Sequence, residues 1–179
     1  MSFLFLISGA GVVAWLMARM AGMRPDLRTV MRWGMGLGFV LTGVDHFVSA
    51  QVRYVPMIPY FMSELALFWV YFTGAAELAG GIAFLMPVSL INRLGVAALH
   101  KLAGAGLALL LACVVIANIH VAQQGEQVQG LPFGTWYYWL RPLFQPIFIV
   151  WALYCSGLWR GPAVTAPAGM HPVGRQTPR

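Results

Sequence analysis

Charged residues are scarce in this chain: 9% of its 179 residues are Asp, Glu, Lys or Arg, and 60% are hydrophobic. Because a soluble globular domain carries about 25% charged residues, this composition excludes an ordinary soluble domain and indicates an integral membrane protein. The formal net charge of +6 does not indicate a nucleic-acid partner. The basic residues are spread through short connectors and the tail, where membrane proteins encode their orientation.

Cysteine is also rare, and its placement excludes one kind of redox chemistry. The chain has two cysteines, Cys113 and Cys155, which lie in separate apolar runs and form no Cys-x-x-Cys pair. A dithiol redox centre of that type is therefore excluded, and both cysteines are interpreted as small buried hydrophobes. No basic residue precedes the first apolar run, and Arg19 follows it, which is unlike a cleaved signal peptide. We therefore predict a retained membrane helix there.

Long apolar segments, by contrast, are abundant. A membrane span takes about 20 apolar residues, and segments of this kind lie at about residues 2–20, 31–48, 65–86, 94–121 and 136–159. Each must be helical, because an isolated span in lipid has to satisfy its own backbone groups. The sequence predicts an all-α membrane protein with five transmembrane helices. Residues 1–160 are predicted to form a single domain, followed by a mobile cytoplasmic tail at 161–179.

The distribution of Lys and Arg predicts the orientation of these spans. Five spans place nine basic residues on one side and two, Arg53 and Arg141, on the other. The positive-inside rule assigns the richer side to the cytoplasm. We therefore predict a bacterial inner-membrane protein with its N-terminus outside and its C-terminus in the cytoplasm. The nine predicted cytoplasmic residues are Arg19, Arg24, Arg28, Arg32, Arg93, Lys101, Arg160, Arg175 and Arg179.

Polar side chains recur at similar depth in the outer half of four predicted spans. The deepest is Glu77, about 18 Å into its span at a rise of 1.5 Å per residue. A bare carboxylate at that depth costs several kcal/mol, so Glu77 needs a partner, a proton or a water-filled pocket. The predicted ligand-binding residues are His46, Glu77, Asn118, His120, Arg141 and Gln145.

Helical phase indicates which of these side chains point inward. Glu77 shares a stripe with Gly80 and Gly81, and glycines let a neighbouring helix approach closely, so Glu77 is predicted to face the interior. Asn118 and His120 are two residues apart, which is about 200° around an ideal helix. These two residues can share one pocket only if the end of their helix is unwound.

Each candidate also has a structural interpretation. Glu77 can pin the helices together by pairing with Arg141 or bonding to His46. Asp45 can bond locally at the end of its helix, and Asn118 can bond across helices. On this interpretation the polar residues stabilise the membrane domain and bind no ligand.

Five short motifs follow one another in an order and spacing that resemble a known family. They are Gly-Val-Asp-His-Phe (43–47), Tyr-Val-Pro-Met-Ile-Pro (54–59), Thr-Gly-Ala-Ala-Glu-Leu-Ala-Gly-Gly (73–81), Ala-Asn-Ile-His-Val-Ala (117–122) and Arg-Pro-Leu-Phe-Gln (141–145). With them the chain resembles the DoxX-like membrane proteins over about residues 32–159. The resemblance implies a four-helix bundle core, to which the N-terminal span is added. It also implies an association with quinone-linked or other membrane redox complexes, or with the assembly of membrane proteins.

Three functions are compatible with these residues. The first is a redox-linked membrane subunit whose outward-opening polar pocket binds a quinone or a similar small molecule. The second is a Zn or Cu site formed by His46, Glu77 and His120, although no local His-x-x-x-His motif is present. The third is a non-enzymatic assembly or partner protein. The expected partners are the lipid bilayer, a membrane or periplasmic redox protein, and a second copy of the chain. No catalytic residue is predicted.

Overall fold

A computed structural model of the chain describes residues 2–124 and 135–159. Every regular element in these residues is helical, and no strand occurs among them, so the predicted all-α class is confirmed. The predicted tail at 161–179 lies outside the described residues. The α-helices of the described ranges are α1 (Ser2–Met20), α2 (Leu27–Val48), α3 (Ala66–Leu85), α4 (Val88–Arg93), α5 (Leu99–Gln124) and α6 (Thr135–Cys155).

Three described helical stretches are long and apolar enough to cross a membrane, as a membrane protein requires. They are Phe3–Met20, Tyr60–Leu85 and Leu99–Gln124. Helices α2 and α6 have 22 and 21 residues but are not among these three. In α2 the reason is its polar content, which includes Arg28, Arg32 and Asp45.

Helices α2 and α3 run antiparallel and very close together, because glycines face each other at two levels. A Cβ atom built on Gly36 would lie 3.0 Å from the carbonyl oxygen of Gly81. A Cβ atom on Gly43 would lie equally close, at 3.0 Å, to the carbonyl oxygen of Gly74. The glycines of each helix are spaced by a heptad, which keeps both on one face. The backbones therefore approach to a distance that larger residues would prevent.

The other helices are arranged around α2. Helix α1 packs on α2 through Gly38, where an added Cβ atom would lie 2.5 Å from Ile7 Cγ2. Helix α3 also contacts α5, α5 contacts α6, and α6 contacts α2. Between the last two, the indole N–H of Trp151 donates to the carbonyl oxygen of Met31 at 3.1 Å. The main apolar core between these helices contains Ile7, Met35, Phe39, Phe84, Leu107, Phe148 and Cys155.

The beginning of α2 and of α5 differs from the predicted segments. Helix α2 starts at Leu27 rather than at residue 31, because the side chain of Asp26 caps it by accepting from the Thr29 N–H at 3.3 Å. Helix α5 starts at Leu99 rather than at residue 94. The chain first turns through Gly95, whose φ of 70° suits glycine.

Two further differences lie near the ends of the helices. Helix α6 ends at Cys155 rather than at residue 159, and Gly157 follows it with a φ of 84°. The connector between the predicted spans at 31–48 and 65–86 is largely helical. It consists of a π-helical segment, Ala50–Tyr54, and two 3₁₀ segments, Val55–Met57 and Tyr60–Leu65. The π-helical segment carries residues to the site described next.

Candidate functional site

Glu77 lies at the α2–α3 interface, between the two levels of glycine contact. Its Oε2 atom is 2.5 Å from the hydroxyl oxygen of Thr42 on α2. The same atom is 3.7 Å from Nδ1 of His46, one turn further along α2. Only 13% of the Glu77 side chain is exposed. Glu77 therefore faces α2 and the interior of the protein, as its helical phase predicts.

The contact between Thr42 and Glu77 can hold a proton in two arrangements. The Thr42 hydroxyl also lies 3.1 Å from the carbonyl oxygen of Gly38. Since a hydroxyl carries one proton, Thr42 donates to only one of these two oxygens at a time. When Thr42 donates to the Gly38 carbonyl oxygen, Thr42 Oγ1 is free to accept. A protonated Glu77 then donates to Thr42 Oγ1 across the 2.5 Å contact. The site can thus accommodate Glu77 as an acid or as a carboxylate.

His46 is fixed in position from three directions. Its Nδ1 atom lies 2.9 Å from the carbonyl oxygen of Thr42, and because a carbonyl only accepts, Nδ1 carries a proton. Its ring stacks on Tyr54 with centroids 3.8 Å apart and planes 25° apart. A Cβ atom on Gly74 would lie 2.5 Å from His46 Cβ, so glycine at that position makes room for the imidazole. In the neutral ring, Nε2 is then the acceptor.

Asp45 holds the π-helical segment against the end of α2. Its Oδ1 atom accepts from the Ser49 hydroxyl at 2.8 Å, and its Oδ2 atom accepts from the Tyr54 hydroxyl at 2.8 Å. Arg53 forms an ion pair with the same carboxylate, which raises the pKa of Arg53. Burial, with the bond to Asp45, raises the pKa of the Tyr54 phenol, which therefore stays a donor. The network holds Tyr54 over the His46 ring.

Helix α6 carries two buried polar atoms that make no hydrogen bond among the described residues. Nη1 of Arg141 and Oε1 of Gln145 are buried and make no hydrogen bond there. Gln145 is 5% exposed, and it lies one helical turn after Arg141. The start of α6 packs on the segment that follows Tyr54, because Met57 shares a buried core with Tyr137 and Tyr138. We refer to the following residues as the polar cluster: Thr42, His46, Tyr54, Glu77, Arg141 and Gln145.

The two predicted site residues of α5 lie on different faces. Asn118 is buried, whereas His120 lines an open groove of about 280 Å³, where its ring meets the edge of Tyr60 at 5.7 Å. Helix α5 stays helical to Gln124. The unwound end that would bring both residues to one pocket is therefore not present.

The structure does not assemble the predicted three-ligand metal set. Within residues 2–124 and 135–159, no group of three or more His, Cys, Asp or Glu side chains is placed to hold a metal ion. His46 and Glu77 are neighbours, but His120 faces Tyr60 on the groove. Of the predicted Zn or Cu ligands, the described residues therefore bring His46 and Glu77 together but not His120.

Two members of the polar cluster were not predicted from the sequence. Thr42 lies one turn before His46 on the same face of α2, so helical phase gave a usable signal for it. Tyr54 lies in the π-helical segment, whose periodicity is not that of an α-helix. Its position over His46 follows from the bonds to Asp45, which spacing alone does not reveal.

Comparison with known proteins gives a family for the chain but no characterised relative. No curated protein and no solved structure matches it. One family model, described as a domain of unknown function (DUF8561), matches residues 35–156, which is more than half of the chain. This match contains the whole polar cluster and helices α3, α4, α5 and α6. The chain therefore belongs to the DUF8561 family.

Proposed function

We propose that this protein is a DoxX-like, redox-linked membrane subunit whose polar cluster binds a quinone or a similar small amphipathic molecule. The observation that carries the proposal is the pair of unpartnered atoms on α6, Arg141 Nη1 and Gln145 Oε1. A native protein rarely buries a donor and an acceptor without partners, because each costs about 1–3 kcal/mol. A ligand that offers both an acceptor and a donor would recover that cost.

A quinone head fits this pair in both of its redox states. The oxidised head presents carbonyl oxygens, which accept from Arg141 Nη1. The reduced head presents hydroxyls, which donate to the Gln145 Oε1 atom. An apolar wall lies at the same end of the molecule, formed by the second buried core of Met57, Val121, Ala122, Tyr137 and Tyr138. Sites for small amphipathic molecules typically combine such a wall with a few convergent polar groups.

The α2–α3 part of the polar cluster can supply protons to the same head. Full reduction of a quinone takes two electrons and two protons. Glu77 and His46 are 3.7 Å apart, and both exchange protons readily. The electrons would come from a membrane or periplasmic redox partner. Buried ionisable residues inside a membrane domain commonly mark such proton routes.

The membrane arrangement that accompanies this function has five spans. Helices α2, α3, α5 and α6 would form a four-helix bundle, with α1 outside it on α2, and the contacts between these helices support that arrangement. Their basic residues support an N-terminus outside and a C-terminus in the cytoplasm of a bacterial inner membrane. The polar cluster would then open outward, and a second copy of the chain could join the assembly.

A non-enzymatic assembly or partner protein is the second candidate. The short contact between Thr42 and Glu77 joins α2 to α3, where the glycines bring the two helices together. On this hypothesis Glu77 is a structural pin. Glu77→Gln would then lower the melting temperature and leave any response to ligands unchanged. A loss of quinone-coupled proton uptake with the melting temperature preserved would instead favour the redox proposal.

The proposal is tested by titrating a water-soluble short-chain quinone into the purified protein in detergent and measuring binding calorimetrically. We expect saturable binding at one site per chain. Gln145→Leu should weaken it about tenfold, the effect of one lost hydrogen bond to the head group. Gln123→Leu, which alters an exposed glutamine on α5, is the matched control and should change affinity less than about threefold. Absence of saturable binding to the wild-type protein contradicts the proposal.

A further inference from the structure

The end of α2 opposite the polar cluster also contains a buried donor atom that makes no hydrogen bond among the described residues. Arg32 is 9% exposed, and its Nε atom makes no hydrogen bond within the part of the chain that the structure describes. A guanidinium stays charged at any physiological pH. Burying it with an unused donor is costly unless an anion completes the site.

A second arginine lies one turn earlier on the same face of α2. The Arg28 guanidinium carbon is 4.8 Å from the centre of the Tyr154 ring, on α6. This cation–π contact holds the side chain across the gap between α2 and α6. Arg32 follows Met31, whose carbonyl oxygen accepts from the Trp151 indole of α6 at 3.1 Å. Both arginines therefore lie on the part of α2 that packs against the end of α6.

Within residues 2–124 and 135–159, acidic side chains contribute little charge to this end of the molecule. Among the described residues, Asp26 is its single carboxylate, and it is occupied in capping α2 through Thr29. Hydrogen bonding to Thr29 lowers the pKa of the Asp26 carboxyl. His100, an electrostatic neighbour of Arg32, uses Nε2 as a donor to the Met86 carbonyl oxygen at 3.1 Å. The basic residues of this end in the described ranges are Arg19, Arg24, Arg28, Arg32, Arg93 and Lys101.

We propose that Arg32 and Arg28 form a binding site for a phosphate-bearing anion between α2 and the end of α6. Arginine suits this ligand because its planar fork of N–H donors matches two oxygens of a phosphate. The anion is either the head group of an acidic phospholipid, since this end faces a membrane surface in the proposed topology, or a free phosphate. This site is separate from the polar cluster and does not depend on quinone binding.

The lipid source is tested by native mass spectrometry of the delipidated full-length protein with phosphatidylglycerol or phosphatidylcholine. We expect phosphatidylglycerol to bind at least about tenfold more tightly. Arg32→Gln and Arg28→Gln should each abolish most of that preference, since hydrogen bonds to charged groups are each worth a tenfold change or more. Arg24→Gln, which removes the same charge from an exposed position, is the matched control and should retain the preference.

The free-phosphate source is tested by melting the wild-type protein in phosphate and in chloride at equal ionic strength. If the free anion occupies the site, phosphate should raise the melting temperature of the wild-type protein but not that of Arg28→Gln. If Arg32→Gln does not fold, Arg28→Gln and Arg32→Lys decide both experiments. The proposal is overturned if neither phosphate source is preferred, or if Arg24→Gln weakens the preference as much as Arg28→Gln.

Discussion

The two halves of the polar cluster differ in how well their polar atoms are satisfied. On the α2–α3 half, the Glu77 carboxyl, the Thr42 hydroxyl and Nδ1 of His46 all have partners within the chain. On the α6 half, Arg141 Nη1 and Gln145 Oε1 have none among the described residues. Satisfied groups stabilise the fold, whereas each unsatisfied buried group in a native protein needs an explanation, and a ligand is the one proposed above. On the proposed function, α2 and α3 provide a rigid base and α6 provides the binding face.

The largest loss of stability is expected from substituting the glycines of the rigid base. In Gly81→Ala the new Cβ atom would lie 2.8 Å from the Gly36 carbonyl oxygen and 2.9 Å from the Val40 amide nitrogen. Both are backbone atoms, so the helices must separate, and we expect a loss of about 2–3 kcal/mol in unfolding free energy. The control Gly106→Ala has nothing within 4 Å and should be neutral or stabilising. Denaturant titration in detergent compares them, and equal losses would contradict the close approach of α2 and α3.

A smaller effect is expected from removing the hydroxyl that bonds to Glu77. Thr42→Val keeps the shape of the side chain but leaves a buried carboxyl oxygen without its partner, at a cost of about 1–3 kcal/mol. Thr73→Val is the control, because the Thr73 hydroxyl bonds only to carbonyl oxygens of its own helix, at 2.9 and 3.0 Å. We expect it to cost less than about 0.5 kcal/mol. If both variants lose the same amount of unfolding free energy, the contact between Thr42 and Glu77 does not stabilise the base.

The smallest effect should lie outside the cluster, at the start of α2. Asp26→Ala removes the cap on Thr29 and should cost about 0.5–1 kcal/mol at neutral pH. Because the pKa of Asp26 is lowered in the folded protein, its ionisation favours folding above the ordinary value near 4. That contribution disappears as the pH falls through the lowered pKa. Asp26→Asn keeps a capping oxygen but removes the charge. The stability of this variant should therefore lack this part of the pH dependence. Melting the variant and the wild-type protein across a range of pH would detect the difference.

Much of the α2–α3 half of the site follows from the sequence, and much of the α6 half does not. The stripe that Glu77 shares with Gly80 and Gly81 predicts its facing direction, since helical phase is local. The separation of Asn118 from His120 follows from the same geometry.

Other features depend on contacts between distant parts of the chain. Tyr54 stacks on His46 because the Tyr54 hydroxyl bonds to Asp45 on α2. Tyr54 lies in a π-helical segment, so α-helical periodicity does not predict its position. The burial of Arg32 was also not predicted, because a basic residue near a span end is interpreted as an orientation signal. Its partners are set by how α6 packs on α2, which residue spacing does not determine.

The most direct test of the account measures quinone affinity and unfolding free energy on the same Gln145→Leu protein. If Gln145 serves a ligand, removing its buried unpaired oxygen should leave stability unchanged or raise it by up to about 1 kcal/mol. Quinone affinity should fall about tenfold in the same preparation. Unchanged affinity together with lower stability would contradict the account, because Gln145 would then be part of the structural base.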